Sequence, residues 1–134
     1  MNILKIAAFL VLITATSSAT AQEDDIEAVI SGQLVALTEN DFQTAYTFAS
    51  PSVQAQVPTT DGFAAMVRRS FPMMLAVSEV MFIDVFSTQR SVLQRVKITS
   101  EDGLEFWFAY EMVMVNGAWR INGVTRLRAP GTMA

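Results

Sequence analysis

Near residue 76 the spacing of apolar side chains changes period, and that change restricts the folds open to the chain. Before it, apolar residues recur every three or four positions. Ile26, Val29, Ile30, Leu34 and Leu37 predict an amphipathic helix of about four turns, with Asp24 and Asp25 at its amino end, where negative charge suits the helix dipole. Phe42, Ala45, Tyr46 and Ala49 predict a second helix, capped by Asn40 or Asp41 and ended by Pro51. Ser50-Pro51 reads as the cap and first turn of a short helical piece through Val53 and Val57. Thr60 or Asp61 caps a further helix bearing Phe63, Met66, Val67 and Phe71, and Pro72 closes the helical half.

From Ala76 onward the chain is dense in Val, Ile, Phe, Trp and Tyr, with turn signals at Thr88-Gln89-Arg90, Glu101-Asp102-Gly103 and Asn116-Gly117. Four strands in a meander follow. Asn116-Gly117 is a hairpin turn because both residue types tolerate positive φ. It pairs Val115 with Ala118, and outward from there sets Met114 against Trp119, Met112 against Ile121, Tyr110 against Gly123, Phe108 against Thr125 and Phe106 against Leu127 on one face. The other face then pairs Trp107 with Arg126. A three-residue loop with Gly103 in a bulge places Val96 and Ile98 opposite Phe108 and Phe106, and aligns Lys97 with Trp107 and Arg126. One helix stripe must bury against one sheet face. The expected fold class is therefore α+β: amino-terminal helices packed on a curved four-stranded antiparallel meander.

The first residues form a short polar start with Lys5, an apolar run Ile6 to Ile13, and small or hydroxylated residues ending Ala19-Thr20-Ala21. This is the pattern of a secretory signal peptide over residues 1–21, cut after Ala21. Polar Thr14, Thr16, Ser17, Ser18 and Thr20 interrupt it well before the roughly 18 apolar residues a membrane span needs. The mature chain, residues 22–134, is expected to be one periplasmic or secreted domain without membrane insertion, with a loose tail from about residue 128. Thirteen acidic against nine basic residues disfavour nucleic acid as a partner.

The ordered set Ala28-Val29-Ile30-Ser31 with Gln33-Leu34, Asp41, Ala45-Tyr46, Ala49-Ser50-Pro51, Phe63, Met66-Val67-Arg68, Phe71-Pro72 and Gly117 to Val124 resembles the bacterial family called domain of unknown function 4864, in the nuclear-transport-factor-2-like superfamily. The resemblance spans nearly all of the mature chain. It implies a cone of helices wrapped around a curved sheet, with an interior open as a ligand pocket in some relatives and packed shut in others. It also implies a homodimer through the open sheet face. It implies no reaction.

Neither cysteine nor histidine occurs. That excludes disulfides, thiolate or imidazole metal sites, and nucleophiles activated by histidine. No cofactor is expected. The remaining proton-transfer chemistry would use an aspartate and tyrosines, and Asp84, Tyr46 and Tyr110 are the candidates, Asp84 because it interrupts the apolar strand Val80 to Phe86. If the cone holds a pocket, Tyr46, Tyr110, Met112, Trp119 and Asp84 are its expected lining. Methionine there suits either an adaptable cavity or an ordinary core. Lys97, Trp107 and Arg126 form an expected partner or dimer surface, since tryptophan and arginine are enriched in interfaces. Three readings follow. The first is a non-catalytic module that binds a small apolar ligand in the cone or a protein on the sheet. The second is a cofactor-independent isomerase or lyase, and the third is a structural homodimer whose cone is filled by its own side chains.

Overall fold

The computed structural model describes residues 18–131. The signal-peptide segment lies almost wholly outside the described residues, as does the end of the tail. Four helices, α1 (Ser18–Thr38), α2 (Phe42–Thr47), α3 (Pro51–Gln56) and α4 (Thr60–Ser70), are followed by a 3-10 turn (Pro72–Leu75). Strands β1 (Val77–Ser87), β2 (Val92–Ser100), β3 (Glu105–Val115) and β4 (Ala118–Leu127) then form one antiparallel sheet in the order β1-β2-β3-β4. The expected α+β meander is what the chain builds.

Local chemistry sets most boundaries. The Asp41 carboxylate caps α2 by accepting from Thr44 N, and Ser50 Oγ caps α3 by accepting from Val53 N with Pro51 in the first turn. The cap of α4 is Thr59, one residue before Thr60 and two before Asp61, the expected candidates. α1 already runs at Ser18, where the described residues start, so Asp24 and Asp25 lie within the helix rather than at its amino end. Nothing between Ser18 and Ile26 is glycine or proline, so the helix has no reason to stop there.

The Asn116-Gly117 turn has positive φ at both residues, and Gly103 adopts φ 83° in the bulged loop, as the hairpin chemistry requires. Val96 and Ile98 do face Phe108 and Phe106, and Lys97 faces Trp107.

The β3–β4 register holds from Val115/Ala118 to Met112/Ile121 and then slips, because Asn122 is an extra residue on β4. Beyond it Glu111 faces Gly123, Tyr110 faces Val124, Phe108 faces Arg126 and Trp107 faces Leu127. A one-residue bulge moves every later side chain to the other face. Arg126 therefore leaves the Lys97–Trp107 row and lies on the helix side, its guanidinium 5.0 Å from the Phe106 ring centroid.

A second bulge lies in β1, where Ile83 and Asp84 together span Arg95. The amide of Gln94, almost fully buried, donates to Asp84 O at 3.1 Å and to Arg95 O at 2.9 Å, satisfying the carbonyl that the bulge releases from the ladder.

The core lies between the α1 stripe and the inner sheet face. Ile26, Ile30, Leu34 and Leu37 meet Val96, Ile98, Phe108, Tyr110, Met112 and Ile121, all buried. Phe71 leans on Phe108 with ring centroids 6.2 Å apart.

Candidate functional site

The segment from α2 to α4 crosses the end of the sheet at β4. Ala49 bridges Ile121 in parallel, with Ser50 N donating to Ile121 O at 2.9 Å and Ile121 N donating to Phe48 O at 2.8 Å. Ser50 Oγ donates to Asn122 Oδ1 at 2.7 Å, and Asn122 Nδ2 donates to Glu111 Oε1 at 2.9 Å. Tyr46 holds the far end of α3: its hydroxyl donates to Val57 O, and its ring lies 5.4 Å from that of Phe63 on α4. These ties fix α3 as a roof over β4.

The roof does not fill the space beneath it. α3 is only six residues long and buries none of them, while the floor is made of Ala49, Ile121 and the bulged Asn122-Gly123. A cavity of about 290 Å³ remains. Gln33 and Leu37 of α1, Val53 of α3, Met66 of α4, Met74 of the 3-10 turn and Ile121 of β4 define its walls. Among the described residues none of its wall carries a charge; its polar side chains are the amides of Gln33, Gln56 and Asn122. An apolar concavity with a few placed polar groups is the usual form of a small-molecule site, and about 300 Å³ is the lower end of the usual range.

None of the five residues expected to line the pocket does so. Tyr110 and Met112 are wholly buried in the core. Among the described residues the Tyr110 hydroxyl has only the thioether of Met74 as partner, at 3.8 Å, and burial pushes its pKa upward. Tyr46 is half-buried and spends its hydroxyl on the backbone. Trp119 packs partly buried against the core near the last hairpin.

Asp84 corrects the expectation most clearly. Its carboxylate accepts from Nε and Nη2 of Arg95, away from the helices, and those bonds hold it below the usual carboxylate range instead of raising it. Asp84, Tyr46 and Tyr110 do not converge on one space. Of the expected interface row, Lys97 and Trp107 stay adjacent, with Lys97 Nζ 3.5 Å from Glu105 Oε1, while Arg126 lies on the opposite face.

Gln33 carried a signal that sequence reading passed over. It falls in the stripe formed by Ile26, Ile30 and Leu37, so an amide was placed on the buried face of α1. A polar side chain there needs either a partner or a polar space.

A larger depression of about 410 Å³ opens beside Pro72, Met73, Glu101, Asp102 and Phe106. The Asp102 carboxylate is already committed to Ser100 Oγ and to Leu104 N. Among the described residues no group of three His, Cys, Asp or Glu side chains could hold a metal, and no helix is long and apolar enough to cross a membrane.

Residues 19–134 match the family described as Domain of unknown function (DUF4864). The chain belongs to this family. No curated protein matches it. Among solved structures it is similar to an NTF-2 like protein of unknown function from Shewanella oneidensis MR-1, with 16% identity, a TM-score of 0.53, and coverage of 78% of this chain and 98% of that one. At that identity the likeness concerns the fold alone, and it places this DUF4864 chain among the NTF-2-like α+β folds.

Proposed function

We propose that this DUF4864 protein is an exported binding module whose cavity beneath α3 takes a small, uncharged, apolar molecule. The observation that carries the reading is the cavity of about 290 Å³ with a largely apolar wall and, among the described residues, no charged side chain in it. Bringing an ion into such a space would forfeit its hydration without a counter-charge, so neutral ligands are favoured. Apolar area removed from water contributes about 25 cal/mol per Å². Export rests on the amino-terminal pattern of Lys5, the apolar run and Ala19-Thr20-Ala21.

A titration with N-phenyl-1-naphthylamine, a neutral probe whose emission rises in apolar surroundings, tests the reading. Saturable enhancement that Val53→Phe removes is expected, since the larger ring would occupy the cavity. Absence of binding, or binding that ignores Val53→Phe, would overturn it.

A second reading, a homodimer through the open sheet face, is favoured by three large apolar side chains on β1: Met81, Ile83 and Phe86 are 46%, 43% and 50% exposed. Sedimentation of the wild type and of Ile83→Glu tests it. Dimers lost on substitution support the reading, and a wild-type monomer at high micromolar concentration removes it.

A further inference from the structure

Gln33 gives the cavity a chemical preference. The residue is 5% exposed and forms part of the cavity wall. Its Nε2 donates to Ala45 O at 3.4 Å, which fixes the amide's orientation: exchanging its ends would set oxygen against oxygen. Among the described residues no donor reaches Gln33 Oε1. That oxygen is also not sealed away, because Gln94 Oε1 is the one buried side-chain acceptor, among the described residues, that is both closed off and without a donor.

The other two amides of the wall differ. Both ends of the Asn122 amide are engaged, by Ser50 and by Glu111, and Gln56 is exposed at the end of α3. Gln33 Oε1 is thus an acceptor held inside a largely apolar space, with its partner not supplied by the described chain. With no donor from the described chain, that oxygen depends on water entering the cavity, and a ligand hydroxyl that replaces the water keeps the bond while the ligand's apolar body leaves solvent.

We infer that the ligand of this site is a small uncharged molecule with an apolar body and one hydroxyl group, which donates its hydrogen bond to Gln33 Oε1. The inference rests on the binding reading given above. It gives Gln33 the role of selecting among apolar molecules, because the rest of the wall distinguishes them only by shape.

The test compares two probes of nearly equal shape, 1-naphthol and 1-fluoronaphthalene, of which only the first can donate. Wild-type protein should bind 1-naphthol about three- to tenfold more tightly, the range expected of one net hydrogen bond. Gln33→Met keeps the side-chain length, removes the acceptor, and should reverse the order, since fluoronaphthalene is the more apolar molecule. If both probes bind but wild type shows no preference for 1-naphthol, the role of Gln33 is overturned while the cavity reading stands. If neither binds, both fall together. The wild-type comparison needs no variant, and so survives a Gln33→Met protein that fails to fold.

Discussion

Asp84 and Arg95 lock across the β1–β2 pair on the side of the sheet away from the helices, the guanidinium meeting the carboxylate through both Nε and Nη2. A two-point bond of this kind favours the charged carboxylate. It also occupies the one aspartate that the apolar strand had offered for proton transfer.

An acid-sensitivity follows. Asp84 is held below its ordinary value of 3.8 first by the Arg95 hydrogen bond, Asp102 by the bond from Ser100 and Asp41 by its bonds from Thr44. Each contributes stability that is present above the unfolded value and lost as pH falls through the lower folded one. The urea midpoint should therefore hold steady near neutral pH and drop below about pH 4. Asp84→Asn should shrink that drop, measured by urea titrations across the acid range.

Tyr110 gives the opposite limb. Its folded pKa is raised from 10.0 by burial, so the stability it carries is complete below pH 10 and declines as pH climbs beyond that value. Tyr110→Phe should cost less than about 1 kcal/mol at neutral pH, because only a thioether loses its partner. The variant should lose less stability than wild type between about pH 10 and 11.

Ser50 joins two structures: it caps α3 and donates to Asn122 at the β4 bulge. Ser50→Ala should destabilise the protein by about 2 kcal/mol, a lost cap plus a stranded amide oxygen. A double-mutant cycle with Asn122→Ala should give less than the sum of the single effects, since the two residues share one hydrogen bond.

Much of this fold was legible in the sequence because local chemistry dictated it. Asn116-Gly117 needs a tight hairpin, Gly103 needs positive φ, and Ser50-Pro51 is a cap and first turn whatever packs around it. The bulges at Asn122 and at Ile83-Asp84 were not legible. A bulge inserts one residue whose identity is unremarkable, and it is stabilised by distant groups: Ser50 and Glu111 at one, Gln94 at the other. Missing them put Arg126 on the wrong face and Asp84 among the pocket candidates. The cavity escaped for a related reason. It arises from what a six-residue helix fails to fill, and the alternation of strand residues does not report a gap left by another element.

The most direct test of the account is methionine-methyl NMR of the protein titrated with 1-naphthol. Met66 and Met74 line the cavity, whereas Met81 and Met114 are 46% and 53% exposed and lie outside it. The account predicts that the Met66 and Met74 methyl signals shift and saturate together while those of Met81 and Met114 stay in place. Unmoved Met66 and Met74 signals at saturating probe, or shifts confined to Met81, would contradict it.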